Sequence, residues 1–237
     1  MAAPSPPAPR LANPIPHALT GPPDLPRKLY TLVVIHQDPV SAAAGPAGAP
    51  TSTSAARPSP SCSAITAPGG STRRRVLLGR KLRGFGAGYF NGYGGKVEPG
   101  EGVAAAAARE LTEEACIVAT DLHRRGILTF SWVDQPGDPA WEVHVFGCTE
   151  YEGLPTETDE MAPRWFDVEL VAAGGAGQPP LSVTGLPFDR MWADDPAWYP
   201  LMLGGEGLFM GAFQFRNVTE LVGGEVGAVE ALPPLPR

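Results

Sequence analysis

The 237-residue chain carries a formal charge of −7, with a sequence pI near 5.1, and its 29 glycines and 28 prolines make up about a quarter of it, near the level at which disordered segments are expected. An acidic balance opposes binding to nucleic acid polymers and repels free polyphosphate, so an anionic ligand is expected to arrive with a cation. Three widely spaced cysteines, Cys62, Cys116 and Cys148, form no CxxC pair and argue against a disulfide framework or zinc site, and no run of 18 apolar residues is present to span a membrane.

Residues 1–28 are Pro/Ala-rich and read as a disordered extension. Arg10, Arg27 and Lys28 against the single acid Asp24 leave organelle targeting open for an otherwise cytoplasmic protein, although the prolines prevent an amphipathic helix. Residues 29–37 are apolar and β-branched and predict a buried strand. From 38 to 72 the chain turns to Pro, Ala, Ser, Gly and Thr, a low-complexity insertion too long for an ordinary ordered loop. Residues 76–79 then supply the partner strand, so the two make a hairpin once the insertion is removed. The stretch 83–95 is dense in glycine, which lets backbone approach a ligand closely. A helix is predicted over about 103–115. Residues 126–133 and 142–149 predict strands of a curved sheet, 165–168 a strand end, and 171–184 a second low-complexity insertion. Asp194-Asp195-Pro196 signals a helix start. Residues 209–215 can close the sheet, and 221–237 read as a frayed tail. The expected organisation is one domain over 29–220, large enough for a single core.

The predicted helix ends in Glu110, Glu113 and Glu114, which at about 100° per residue share a single arc of roughly 100°. Like charges so placed repel by about 0.2–0.5 kcal/mol per pair. The cluster therefore calls for cations, and divalent magnesium is the natural one for hard oxygen donors. A blander reading is a solvated acidic face with Arg109 pairing to Glu113 at i+4. Glu101, ahead of the helix, is favoured by the dipole and is placed to bond the first amides, a structural role as credible as a catalytic one.

The spacing Gly95, five residues, Glu101, seven residues, Arg109-Glu110-Leu111, one residue, Glu113-Glu114 resembles the Nudix box, the mark of hydrolases of nucleoside diphosphates linked to another group. Cys116 departs from it, standing where that family has glycine. A β-carbon at a left-handed helix end costs about 1–2 kcal/mol, which puts the cap in question and not the acids.

Further text extends the likeness: Arg83-Gly-Phe-Gly-Ala-Gly-Tyr-Phe-Asn91, Glu142-Val-His-Val-Phe146, Asp159-Glu160-Met161, Trp165-Phe166 and the run from Met191-Trp192 to Trp198. These resemble the oxidised purine nucleoside triphosphate hydrolases of the MutT-homologue type within that superfamily. The resemblance implies an α/β fold, the Nudix α/β/α sandwich around a mixed, curved sheet. It implies hydrolysis of 8-oxo-dGTP and 2-hydroxy-dATP to the monophosphate and pyrophosphate with Mg2+, and so nucleotide-pool sanitation by a monomer whose partner is a small-molecule nucleotide. By the same resemblance Glu110, Glu113 and Glu114 are metal ligands with Gly94 offering backbone. One of these acids, or Glu160, takes the proton from water. Gly95 faces metal or phosphate and also shapes the loop, Lys81 and Lys96 meet phosphates unless they are plain surface lysines, and Arg109 and Glu101 support the box.

For the base, the resemblance points to Asn91, Asp194 and Asp195 with Trp192 stacking on the purine. Two adjacent carboxylates in a partly apolar pocket do not both ionise readily, so one can donate a proton while the other accepts. Phe85, Phe130, Trp132 and Trp141 are expected to line the pocket, with Thr31 nearby. The resemblance puts phenylalanine at position 132 and methionine at 141, so the two indoles here narrow the pocket. Alkylated purines or dinucleotides are the alternative substrates, and a noncatalytic nucleotide-binding regulator would require a damaged box, whereas all its acids are present.

Overall fold

A computed structural model of the chain describes residues 17–38, 74–172, 181–205 and 207–236. The start of the predicted extension and nearly all of the 38–72 insertion lie outside these residues. A short 3-10 turn occupies His17–Leu19 and the first strand begins at Arg27, so the stretch before residue 29 is partly ordered structure. Thirteen elements follow one another: β1 (Arg27–Gln37), β2 (Arg74–Lys81), β3 (Phe90–Asn91), α1 (Val103–Ala115), β4 (Ile117–Ala119), β5 (Leu122–Trp132), β6 (Ala140–Cys148), β7 (Tyr151–Gly153), β8 (Met161–Ala172), β9 (Leu181–Thr184), α2 (Asp195–Leu203), β10 (Leu208–Arg216) and β11 (Glu220–Val229).

The main sheet runs β11-β10-β5-β6-β1-β2-β8-β9, with β3 added on β2, while β4 and β7 pair separately. It is mixed: β1 lies parallel to β6 and β10 parallel to β5, the other pairings being antiparallel. β1 is buried continuously from Thr31 to His36 because it lies centrally and is covered on both faces. The period of two divides it. Val33 and Ile35 join Leu77, Phe146 and the apolar stripe of α1, while Leu32 and Val34 join Leu78, Val145 and Trp198 and Met202 of α2. One helix on each face is the α/β/α arrangement expected.

Five successive alanines make α1 a strong helix former. Its buried side, Val103, Ala106, Ala107, Leu111, Glu114 and Ala115, is a single stripe, and the small alanines let the axis lie close to β1. Gly102 is the N-cap without a side-chain cap bond; Glu101 instead accepts from Glu98 N at 3.1 Å, so it does not bond the first helix amides as anticipated. The left-handed C-cap forms despite its β-carbon: Cys116 has φ 58°, and its N–H reaches Thr112 O at 3.0 Å.

Two expectations at the periphery fail. Val171–Ala172 and Leu181–Thr184 are paired strand residues, so the expected insertion at 171–184 is sheet at both its ends, and 173–180 lie outside the described residues. The tail from 221 is not frayed through Val229: β11 pairs along the whole of β10, giving that strand a second neighbour besides β5. Glycines at 223, 224 and 227 weakened the strand signal there. The β10–β11 turn has φ 47° at Asn217 and 73° at Val218. Positive φ at two successive residues of this three-residue loop costs a β-branched residue of the order of 1–2 kcal/mol. Among the described residues, no helix is long and apolar enough to cross a membrane.

Candidate active site

Two cavities share Lys81, Gly94 and Gly95 in their walls. The loop carrying the glycines is tied to the central strand: Gly95 O accepts from Thr31 N at 2.8 Å, and Val33 and Tyr93 exchange backbone bonds at 2.6 and 3.0 Å. A β-carbon on Gly94 would strike the Thr31 carbonyl, and one on Gly95 would strike the Glu110 carboxylate. Gly94 therefore needs to be glycine, and at Gly95 a side chain would displace the Glu110 carboxylate.

The first cavity, about 600 Å3, is lined by Glu110, Glu113, Glu114, Asp159 and Glu160 together with Lys81 and Arg83. Helical spacing brings the three α1 acids to it, and the start of β8 brings Glu160 from 46 residues beyond Glu114. Arg109 organises the rim. It bonds Glu101 at 2.9 and 3.0 Å, Glu110 at 2.9 Å, Glu113 at 3.1 Å and the Lys96 carbonyl at 3.2 Å. The bland expectation of an Arg109–Glu113 pair is thus met within a larger network, and Arg109 and Glu101 are placed to brace the loop. The Arg109 bonds hold the Glu101 carboxyl below the usual range.

Glu114 is the buried acid of the group. It accepts the Gly94 N–H at 2.9 Å and lies 3.7 Å from Lys81 Nζ, yet burial still pushes its carboxyl up to about 7. Burial also raises Glu110. Glu113 and Glu160 are open, with side chains 59% and 44% exposed, and Glu160 pairs with Arg83 at 2.6 Å. With Arg109 between Glu110 and Glu113, no three acids converge within chelating distance among the described residues. The donor set nonetheless fits a hard divalent cation, being entirely oxygen, and burial raises its buried member, which added positive charge would reverse.

The second cavity, about 390 Å3, lies on the α2 face of the sheet. Thr31, Phe85, Asn91, Phe130, Trp132, Trp141, Trp192, Asp194 and Asp195 all line it, so every residue expected around a base is there. Phe85 stacks on Trp192 with ring centres 5.0 Å apart, and Trp141 stacks on Tyr30 at 4.7 Å while meeting Trp132 edge-on at 4.9 Å. Gly86 lets the 83–88 loop lie against the Trp192 indole. Asn91 Oδ1 accepts from Gly92 N at 2.9 Å, which leaves its amide protons as the donating side.

Asp194 and Asp195 begin α2, as the acid-acid-proline signal predicted, but neither side chain caps the helix. Asp194 accepts from Trp198 Nε1 at 3.0 Å and Asp195 from Trp192 N at 2.8 Å. Both are buried, and burial lifts Asp194 to about 6; Asp195, lifted by burial and then by the neighbouring Asp194 charge, goes higher. Both carboxyls of the dyad therefore hold their protons to higher pH than free aspartates do.

Lys96 is exposed and lines neither cavity, as the plain surface-lysine reading has it; its backbone bridges to Tyr30. Sequence reasoning missed Tyr30, Tyr89, Trp198, Phe215 and Val218 in the pocket and Arg83 in the acidic cavity. Tyr30 alternates with Leu32 on one strand face, and Trp198 stands four residues after Asp194 on a helix, so both carried a signal. Val218 carried none.

Comparison with known proteins agrees with this geometry. The NUDIX domain family matches residues 60–183. The oxidized purine nucleoside triphosphate hydrolase of Danio rerio is 42% identical over 158 residues, 67% of this chain and 90% of that protein. Its namesake from Mus musculus is 40% identical over 144 residues, 61% of this chain and 81% of that one. Among solved structures, a mMutator MutT protein from Bacillus halodurans superposes with a TM-score of 0.50 at 20% identity, covering 84% of this chain and 97% of that chain, a likeness of fold.

Proposed function

The chain belongs to the Nudix hydrolase family, and on that footing we propose that it hydrolyses oxidised purine nucleoside triphosphates, such as 8-oxo-dGTP and 2-hydroxy-dATP, to the monophosphate and pyrophosphate. Its role is then to clear damaged nucleotides from the precursor pool. The observation that carries this is the junction of the two cavities: an aromatic pocket with two buried acids opens at Lys81, Gly94 and Gly95 onto a chamber of carboxylates. A nucleotide lying across that junction has its base among indoles and its phosphates beside the acids.

Glu110, Glu113 and Glu114 would hold magnesium, with the Gly94 backbone beside them. Bound there, the ion supplies charge neutralisation and polarisation of the phosphoryl oxygens. Lys81 and Arg83 add positive charge for the phosphates. Water attacks phosphorus, the phosphoanhydride bond breaks, and pyrophosphate leaves; the proton released by water passes to a carboxylate. Glu113 and Glu160 suit that task because they are the acids open to solvent, whereas buried Glu114 suits a fixed ligand. In the other cavity Trp192 offers its face to the purine, the Asn91 amide donates, and the singly protonated Asp194–Asp195 pair donates with one carboxyl and accepts with the other. A base whose donors and acceptors have been rearranged by oxidation is matched by such a pair.

Pyrophosphate release with magnesium, measured side by side on 8-oxo-dGTP, 2-hydroxy-dATP, dGTP and O6-methyl-dGTP, tests the proposal. Higher kcat/KM on the oxidised substrates is expected. No release from either oxidised nucleotide overturns the reading, and a preference for the alkylated one moves the substrate to that class.

A further inference from the structure

We infer that Val218, at the tip of the β10–β11 hairpin, is a specificity-determining residue that forms the end wall of the base pocket remote from the phosphates. The inference rests on the reading above and names which part of the substrate meets this residue.

Its place follows from the sheet. Val218 lines the pocket with Phe215, Trp132 and Trp141, whereas Lys81, Gly94 and Gly95, which the pocket shares with the acidic chamber, lie beside β1 and β2. β5 and β6 stand between β10 and β1. At about 4.8 Å per strand spacing, β10 is roughly 14 Å from β1. A nucleotide with phosphates at Gly94 and Gly95 therefore reaches the hairpin tip with the far edge of its base.

The conformation gives a second, independent reason. Val218 has φ 73°, a region where a glycine is at ease and a β-branched side chain is not. The tip is fastened rather than loose: Asn217 N donates to Asp134 Oδ2 at 3.2 Å, and Val133 N donates to Phe215 O at 2.9 Å. The strained side chain remains 38% exposed, leaving apolar surface that a ligand can cover. Strain of this kind persists where function over-determines the position, and a bound aromatic base would complete the burial. An isopropyl group in a wall shared with two indoles accepts a flat base whose distal edge carries no bulky or charged substituent.

The test compares full-length wild type with Val218→Gly and Val218→Ile by thermal melting, by calorimetric binding of 8-oxo-dGMP, and by kinetics on 8-oxo-dGTP. Glycine relieves the strain and removes the wall: Tm is expected to rise by about 2–4 °C, while Kd and KM rise about fivefold or more with kcat nearly unchanged. Isoleucine keeps the wall and is expected to keep wild-type KM. A rise in Tm with unchanged Kd and KM overturns the inference, as does a fall in Tm. Wild type that binds the monophosphate but releases no pyrophosphate refutes the hydrolase reading alone, with the Val218 effect still read in Kd; wild type that does not bind it refutes both.

Discussion

The two cavities bury acids in opposite ways. On the α1 side, Glu110 and Glu113 pair with Arg109 and Glu114 lies 3.7 Å from Lys81, although burial still raises Glu114. On the α2 side, Asp194 and Asp195 are bonded by an indole N–H and a backbone N–H with no cation paired to them, and burial raises both. On the proposed function the same functional group serves as a cation receptor in one place and a hydrogen-bond donor in the other. Surroundings decide which, through the balance of desolvation against neighbouring charge.

The strongest way to break this contrast is Glu113→Gln. The side chain is 59% exposed and its pairing with Arg109 is a surface contact, so melting should hardly change. Turnover should fall by roughly three orders of magnitude, on the scale of removing a group that stabilises developing charge. Retained pyrophosphate release would show that the α1 cluster is only an acidic surface.

Asp195→Asn probes the other side. A fixed amide cannot serve as the shared-proton partner of Asp194, and kcat/KM on 8-oxo-dGTP should fall about 10–100-fold. The pH dependence sharpens this. Both aspartates have folded-state values above the unfolded value, so the native state binds more protons across the window from about 4 up through about 6 for Asp194 and beyond for Asp195. Their contribution to stability is complete below that window and is lost as pH rises through it. Tm of wild type should therefore fall more steeply between pH 5 and 8 than Tm of the Asp194→Asn, Asp195→Asn double variant, and equal slopes would sink the shared-proton account.

The smallest effect is expected from replacing residues 40–72 with a short turn. Gln37 and Arg75 are paired in register, and Arg74 bonds Asp38 at 2.6 Å, so the two ends already meet. Activity should stay within about twofold, since loop length changes closure entropy only slowly. Loss of soluble protein or of activity would show that the segment contributes to the core or the site.

The α1 cavity could be read early because three of its acids, Glu110, Glu113 and Glu114, lie close together at helical spacing. Glu160 entered only through the family likeness. The pocket is assembled from β1, β3, β5, β6, α2 and the β10–β11 turn, so no single segment announces it; Trp192 and the two aspartates were recovered by likeness, Val218 not at all. The fold shows the same split. α1 appeared at its observed bounds, whereas β9 and β11, poor in β-branched apolar runs and rich in small residues, form because a neighbouring strand offers its edge. Cys116 shows a local penalty overridden, its left-handed cap carried by the packing of the helix before it.

β1 lies between β6 and β2, with nine registered partners along β6. Covalently, β1 is joined to the strands that follow it through the chain between Asp38 and Arg74. A single backbone cut between those points would therefore leave two polypeptides clasped as one working enzyme, separable only under denaturing conditions, and the two halves made apart should reassemble into it.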